Sequence, residues 1–349
     1  ADANRILPPE APESGEWVTD KVPYTRDICE AFTLPHVDRV IGVMGSQMSK
    51  TETILNVIGH RFDDGPAVPT LYIGPTQKQV STMSSDRFSK MIESTPRLKE
   101  RLAGGQKDKT TEKYLSGVRM GFAWAGSATE LSSNPAGLVM VDERDRMGSD
   151  IDGEGDPVEL AAARMDAYQG AKLGVFSTPT IEGASPIFTL FNEGTMRIWS
   201  WPCDHCNAFF VPSLKLLKFD SKAKYDEIRE SAVVACPHCG GVHTDSRRRQ
   251  LNSAGKYVPH SLDGDGSYQP QRQARQLSTE SFWVSGSCVA RMIIVTAKLK
   301  SNETSKISSL VRGGPLIVGR PIDHLPPPSP TARLPSANSI TNKMLRCVP

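Results

Sequence analysis

The chain lacks any long apolar run. Apolar residues make up 38% of its 349 residues, yet none of its segments approaches the roughly 18 consecutive apolar residues of a membrane-spanning helix. The N-terminal stretch ADANRILPPEAP also lacks the apolar core of a secretory signal. We therefore expect a protein that neither crosses nor contacts a membrane. The sequence also contains no internal repeat.

Cysteine is sparse, and charge is nearly balanced. The seven cysteines are an odd number, and Cys29, Cys288 and Cys347 share no spacing pattern. A reducing cytoplasm fits this pattern better than a disulfide framework does. The net charge of +2 gives no indication for or against a nucleic-acid partner.

The other four cysteines form two couples, C-D-H-C at 203–206 and C-P-H-C at 236–239. A two-residue gap lets both thiolates of a couple face one metal ion. Two such couples, separated by enough chain for a short hairpin, satisfy a tetrahedral Zn²⁺. We therefore predict a zinc ribbon with Cys203, Cys206, Cys236 and Cys239 as ligands. The alternative is redox-active or unused thiols.

Short apolar segments alternate with helical ones in the first half of the chain. Strands are expected at 40–44, 70–73, 120–125, 138–141 and 172–176, and helices at 23–32, 50–58, 77–92 and 159–168. The segment at 138–141 is apolar without a break, which suits a strand buried on both faces. This order predicts an α/β fold with a parallel sheet covered by helices.

A candidate phosphate-binding loop follows the first of these strands. It contains Gly45, Ser46, Gln47, Ser49, Lys50 and Thr51. Small residues would let backbone N–H groups approach the phosphates of ATP, Lys50 would contact the β- and γ-phosphates, and the Thr51 hydroxyl would bind Mg²⁺. The usual pattern has glycine where this chain has Met44 and Ser49. The alternative is an ordinary strand-to-helix turn.

Two acids end the apolar strand at 138–141. Asp142 would hold Mg²⁺, and Glu143 would orient and polarise the attacking water. A solvated acidic turn is the other interpretation. The loop and the acids occur in the order that a P-loop NTPase requires, and together they predict an ATPase core.

These residues resemble a known family. The resemblance is to the large terminase subunit of tailed phages, GpA type, and it covers about residues 18–286. It is carried by Pro23-Tyr24, the Gln47…Lys50-Thr51-Glu52 loop, Gly74-Pro75-Thr76, Val141-Asp142-Glu143, Ser177-Thr178-Pro179 and the two cysteine couples.

The resemblance implies a motor that hydrolyses ATP to drive double-stranded DNA into a prohead. Its partners would be DNA, a portal, a small terminase subunit and further copies of itself, in the host cytoplasm. Lys50, Thr51 and Asp142 would bind nucleotide and Mg²⁺, and Glu143 would be catalytic. Ser177 and Thr178 would lie in the segment that couples hydrolysis to DNA movement.

The expected organisation is an N-terminal arm at 1–20, an ATPase domain at 21–198 and the zinc ribbon at 199–262. Residues 263–349 would contain a linker, the start of a nuclease domain and a poorly ordered tail that includes the proline-rich stretch 326–330. We expect a truncated or frameshifted copy without nuclease activity, in which Ser49 impairs the phosphate loop.

For several arginines the sequence leaves more than one function open. Arg247, Arg248 and Arg249 could contact DNA phosphates or form a solvated basic turn. Any of Arg144, Arg146 and Arg164 could serve a neighbouring subunit as an arginine finger. Two other functions remain open: a DNA helicase-like ATPase, and a non-catalytic remnant that binds DNA or partners.

Overall fold

The computed structural model describes residues 1–286, except 103–108, 133, 181–183, 221–226, 228–230 and 265–266. The predicted C-terminal tail lies outside the described residues. Within them, no helix has the length and apolar character needed to cross a membrane.

The described chain contains sixteen strands. They are β1 (Ile6–Leu7), β2 (Gly15–Glu16), β3 (Arg39–Met44), β4 (Thr70–Gly74), β5 (Glu112–Leu115), β6 (Val118–Trp124), β7 (Leu138–Asp142), β8 (Lys172–Ser177), β9 (Arg197–Pro202), β10 (Phe209–Phe210), β11 (Leu217–Lys218), β12 (Val233–Ala235), β13 (Val242–Thr244), β14 (Lys256–Leu262), β15 (Tyr268–Pro270) and β16 (Thr279–Val284).

Nine α-helices have their bounds within the described residues. They are α1 (Thr25–Ala31), α2 (Lys50–Asp63), α3 (Gln77–Thr82), α4 (Ser89–Ser94), α5 (Pro96–Arg101), α6 (Ala128–Ser132), α7 (Pro157–Ala162), α8 (Pro186–Glu193) and α9 (Arg248–Ser253).

One large sheet organises the molecule. Its order is β15-β14-β9-β16-β3-β8-β7-β4-β6-β5, with β10 paired to β9. The strands from β9 to β6 in this order run parallel, and the outer pairings at both sides are antiparallel. The predicted α/β fold with flanking helices is therefore confirmed, but the sheet is mixed, with a parallel centre and antiparallel outer strands. A separate three-stranded sheet, β11-β12-β13, lies in the cysteine-containing region.

Strand side chains alternate between two hydrophobic cores, one on each face of the sheet. In β7, Leu138 and Met140 enter one core, whereas Val139 and Val141 enter the other. Helix α2 covers the first face, and α8 covers the second through Ile187 and Phe191. This double covering explains the unbroken apolar run of β7.

The sheet extends beyond the expected ATPase boundary at residue 198. Strands β9 and β14, expected within the ribbon, pair with each other in the large sheet. Strand β16, expected in the linker or nuclease region, lies between β3 and β9. The sheet therefore draws on chain from both sides of the cysteine couples, which sit within an excursion between β9 and β14.

The N-terminal segment, expected to be an arm, folds back onto the core. Strands β1 and β2 form a hairpin, and the buried side chain of Arg5 donates hydrogen bonds to Glu52 and Asn56 of α2. The guanidinium also lies 5.9 Å from the ring centre of Trp17. The segment thus braces the helix that follows the phosphate loop.

The single helix expected at 77–92 is interrupted. A π-helical turn over Met83–Phe88 separates α3 from α4. The Ser89 hydroxyl donates to the carbonyl of Ser84, five residues earlier, at 3.0 Å. Such side-chain bonds to the backbone compete with the regular helical pattern, and this stretch is rich in serine. The helix expected at 159–168 is shorter too, because it begins at Pro157 behind an Asp156 cap and ends at Ala162.

A methyl group at position 42 should destabilise the sheet. A Cβ on Gly42 would lie 2.3 Å from Cδ1 of Phe176, whose ring is fully buried and cannot move aside. We expect Gly42→Ala to lower the free energy of unfolding by about 1–3 kcal/mol, measured by denaturant titration. The control is Gly264→Ala, which meets open space and should change it by less than about 0.5 kcal/mol. Equal free energies of unfolding for the two variants would contradict the tight packing of Gly42 against Phe176.

Candidate functional site

The predicted phosphate loop connects β3 to α2. Gly45 and Met48 are buried, whereas Ser46 and Gln47 are exposed. Gln47 and Ser49 both adopt left-handed backbone conformations, with φ of 61° and 56°. That conformation favours glycine, so the backbone of Ser49 is strained at a position where the usual loop pattern has glycine.

Gly45 is packed against the end of β16. A Cβ on Gly45 would lie 3.0 Å from the Cα of Gly286. The contact arises because β16 runs parallel to β3 with Val284 opposite Met44. The segments that follow the two strands therefore leave the sheet side by side. Residues 285–286 therefore form one wall of the phosphate loop.

Lys50 lies between the two predicted acids. Its buried ammonium is 3.1 Å from Oδ1 of Asp142 and donates a hydrogen bond to Oε1 of Glu143. Burial disfavours the charged form, but the two carboxylates outweigh it and raise the pKa of Lys50 above its ordinary value. The structure thus brings Lys50 together with Asp142 and Glu143, which lie 92 and 93 positions further along the sequence.

Tyr72, on β4, completes this buried cluster. Its hydroxyl donates a 3.1 Å hydrogen bond to Oδ2 of Asp142. Burial, with the nearby Asp142 charge, raises the pKa of Tyr72 well above its ordinary value, so the hydroxyl remains a donor. The sequence analysis missed this residue, because a tyrosine inside an apolar strand gives no signal distinct from core packing.

Glu143 departs from extended backbone immediately after β7. Its φ of 61° and ψ of 48° are left-handed, which turns the chain into the short helix Arg144–Arg146. Nε of Arg146 lies 3.5 Å from Oε2 of Glu143, so the carboxylate has cations on both sides. Strained backbone of this kind is characteristic of functional positions.

The Ser177-Thr178 segment lies between the phosphate loop and the acids. Strand β8, which ends at Ser177, is hydrogen-bonded to β3 on one side and to β7 on the other. Both residues are buried. Thr76, at the end of β4, instead caps α3 by accepting a hydrogen bond from the N–H of Gln79. The carboxyl ends of four adjacent parallel strands thus converge, as ligand sites in such sheets require.

The three arginine-finger candidates have different surroundings. Arg144 is buried, pairs with Asp156, and donates to the carbonyl of Gly148 at 3.4 Å. Arg164 donates to the carbonyl of Ser132 at 2.8 Å. Arg146 is 55% exposed, so it is the candidate best able to reach a neighbouring molecule.

The four predicted cysteine ligands converge on one point. Their Sγ atoms all lie within 4.8 Å of one another. Cys203 and Cys239 are separated by 3.7 Å, and Cys206 and Cys236 by 3.9 Å. A tetrahedral ion with metal–sulfur bonds of about 2.3 Å needs sulfurs about 3.8 Å apart. The cluster therefore has the donor set and the spacing for a metal ion.

The two couples form matching turns. The residue after each second cysteine is left-handed, Asn207 with φ 60° and Gly240 with φ 74°. In each turn its N–H donates to the carbonyl of the first cysteine, Cys203 or Cys236, at 2.9 Å.

Backbone N–H groups also point at the sulfurs. The N–H groups of His205, His238 and Gly241 each lie 3.4 Å from a cysteine sulfur. The imidazole of His205 bonds the carbonyl of Val242, and that of His238 bonds the carbonyl of Phe209, so each turn is tied to the other half. Contacts of this kind orient metal ligands.

The basic run after the second couple is partly neutralised. Arg247 pairs with Asp204 at 3.0 Å, and Arg248 pairs with Asp245 at 3.3 Å. Arg249 is exposed, as is Arg247. A contact with DNA phosphates by this run stays a prediction.

The sequence matches the family model for the phage terminase large subunit gpA, ATPase domain, over residues 11–257. The large terminase subunit of Enterobacteria phage P21 is 24% identical over 266 residues, covering 72% of this chain and 40% of that protein. The chain thus spans about 40% of the length of this curated relative.

Two solved structures are similar in parts. The large terminase of bacteriophage HK97 has 16% identity and a TM-score of 0.45, covering 55% of this chain and 39% of its own. The large terminase ATPase domain of Thermus phage P74-26 has 13% identity and a TM-score of 0.44, covering 81% and 91% respectively. Since the family model spans most of the sequence, the chain belongs to the gpA family of phage terminase large subunits and contains their ATPase domain.

Proposed function

We propose that this chain binds and hydrolyses ATP and uses the energy to move double-stranded DNA into a phage prohead. The observation that carries the proposal is the buried cluster of Lys50, Asp142 and Glu143 beside the phosphate loop. Lys50 satisfies its charge with the two acids. A bound triphosphate offers the same ammonium a stronger anionic partner and thereby frees both carboxylates.

The residues present fit a Mg²⁺ ion. Asp142 and Glu143 place two adjacent carboxylates beside the phosphate loop, and Oε2 of Glu143 is a buried oxygen that accepts no hydrogen bond from the described residues. The hydroxyl of Thr51 and the carboxylate of Asp142 are oxygen donors of the type that Mg²⁺ prefers, and they would hold it. When bound, the ion would neutralise developing charge on the phosphates. Tyr72 orients Asp142 by bonding its second oxygen, and Glu143 would polarise the attacking water.

The packaging role rests on family membership, together with Thr178 beside the nucleotide site. We propose that the chain acts in the host cytoplasm with a portal, a small terminase subunit and further copies of itself, and that exposed Arg146 serves as the arginine finger. The alternative is a non-catalytic remnant, which the strained Ser49 favours.

Removing the charge of Glu143 should abolish turnover. We expect Glu143→Gln to lower DNA-stimulated ATP hydrolysis by about 10²–10⁴-fold, the usual contribution of a general base, while a fluorescent ATP analogue still binds. Phosphate release by the purified chain measures the rate. The control is Glu159→Gln, since this glutamate is 62% exposed and pairs with Arg39 at 3.4 Å. Parental turnover in Glu143→Gln would exclude the assigned role.

Glycine at position 49 should relieve backbone strain. We expect Ser49→Gly to raise the free energy of unfolding by about 1 kcal/mol, because glycine adopts a positive φ without a steric cost. Ser116→Gly is the matched control, since Ser116 also has a positive φ, 51°, but lies in an exposed turn. Both variants should gain stability, and Ser49→Gly alone should raise ATP turnover.

The outcome also separates the two proposed functions. No turnover in the parent and recovery in Ser49→Gly would indicate a terminase core disabled at its phosphate loop. No turnover in either chain would favour the non-catalytic remnant. An equal change of turnover in Ser116→Gly would contradict a local effect.

We further propose that the four-cysteine cluster holds a structural Zn²⁺. Four thiolates complete a tetrahedral shell and leave no open position, so the ion would stabilise the fold and take no part in catalysis. The cluster would join two parts of the excursion between β9 and β14 that the imidazoles of His205 and His238 already tie together.

Loss of one cysteine ligand should release the metal. We expect about one zinc per chain by elemental analysis, and a loss of zinc and of thermal stability in Cys206→Ser or after treatment with a strong chelator. Cys29→Ala, outside the cluster, should retain its zinc. Rapid reaction of all four cluster thiols with a thiol reagent in untreated protein would contradict the proposal.

A further inference from the structure

The carboxylate of Asp145 binds a segment that is distant in sequence. Its Oδ2 accepts hydrogen bonds from the N–H of Thr180 at 3.1 Å and from the hydroxyl of Ser185. Its Oδ1 accepts from the N–H of Ile187 at 3.0 Å. In the opposite direction, the N–H of Asp145 donates to Oγ of Ser177 at 2.9 Å. One residue thus holds the chain at four points between 177 and 187.

Asp145 is also tied to the nucleotide site. It is the middle residue of the turn Arg144–Arg146, which is closed by a 2.9 Å hydrogen bond from the N–H of Arg146 to the carbonyl of Glu143. Because Glu143 is bonded to Lys50, the turn has a direct connection to the residue that would contact phosphate. Asp145 therefore stands between Glu143 and the Ser177-Thr178 segment.

These contacts exceed what a helix cap requires. A capping carboxylate accepts a bond from the first turn of the helix, as Oδ1 does from Ile187 of α8. The residue at the N-cap position, Ser185, makes no capping bond of its own, and its hydroxyl is directed to Asp145 instead. The second oxygen also holds Thr180, before the helix begins. Thr180 and Ser185 are therefore anchored to the same carboxylate.

Helix α8 carries the connection onward to β16. The carbonyl of Phe191 accepts a hydrogen bond from the Ser281 hydroxyl at 2.8 Å, and the ring of Phe188 lies 5.1 Å from that of Trp283. The end of β16 then packs on the phosphate loop through Gly286 and Gly45. A continuous set of contacts therefore leads from Glu143 through Asp145, α8 and β16 back to the nucleotide site.

We propose that Asp145 is a positioning residue that makes the 177–187 segment and α8 follow the turn bearing Glu143 when nucleotide binds. The inference rests on the proposed function, since it assigns Asp145 the transmission between the ATPase centre and the segment that contains Thr178. A binding event that draws Lys50 away from Glu143 alters the turn, and the hydrogen bonds of Asp145 pass that alteration to α8.

Hydrogen–deuterium exchange of the full chain tests the proposal, with and without a non-hydrolysable ATP analogue and Mg²⁺. In the parent, we expect the analogue to slow exchange in peptides covering 45–58 and 184–193. Asp145→Asn preserves the size of the side chain but cannot accept at both atoms. In this variant the analogue should still slow exchange at 45–58. At 184–193, the factor by which the analogue slows exchange should fall about tenfold or more, as expected for the loss of a charge-assisted hydrogen bond.

Asp150→Asn is the matched control. Asp150, like Asp145, lies between β7 and α7, and its carboxylate accepts hydrogen bonds at 2.9 Å from the N–H groups of Gly153 and Gly155 within that loop. This variant should respond to nucleotide as the parent does. A parental response at 184–193 in Asp145→Asn would overturn the proposal, because a purely structural carboxylate would leave the nucleotide-dependent difference in place.

The test separates this inference from the proposed function. A change at 45–58 in the parent without one at 184–193 would refute the coupling alone. No change at 45–58 would refute nucleotide binding, and the coupling with it. If Asp145→Asn does not fold, Ser185→Ala removes a single donor to Oδ2 and should weaken the response at 184–193. A full response there would overturn the proposal.

Discussion

The buried charge of Lys50 is the constraint on which the site depends. An ammonium held in the protein interior needs anionic partners, and Asp142 and Glu143 supply them from the end of a neighbouring part of the sheet. The pairing of Lys50 with Glu143 fixes the turn after β7. That turn then places Asp145 against the chain that follows β8. The order β3-β8-β7 makes this possible, since it brings three loops to one edge of the sheet.

Much of the sheet was predictable, because its central strands are short apolar runs buried on both faces. The predicted segments at 40–44, 70–73, 138–141 and 172–176 agree with β3, β4, β7 and β8 to within a residue or two. The cysteine spacing likewise predicted a convergence of four sulfurs that the geometry confirms. In both cases the signal is local: a pattern of neighbouring residues is enough to specify the element.

Long-range features escaped the sequence analysis. Strand β5 has alternating polar residues at an edge of the sheet, and β16 returns to the centre of the sheet only through a register that pairs Thr279 with Arg39. The capture of Asp145 by Ser185 and Ile187 joins residues 40 and 42 positions apart, with no motif of its own. Pairing partners cannot be read from one sequence when several apolar strands could fill the same place.

The close approach of Gly45 and Gly286 has a mechanical meaning. A Cβ on Gly45 would lie 3.0 Å from the Cα of Gly286, where the last described strand leaves the sheet, so no side chain fits between the two backbones. Because the two backbones pack directly against each other, a displacement of the phosphate loop at Gly45 would press on Gly286. The phosphate loop and the end of β16 therefore form one mechanical unit at the nucleotide site.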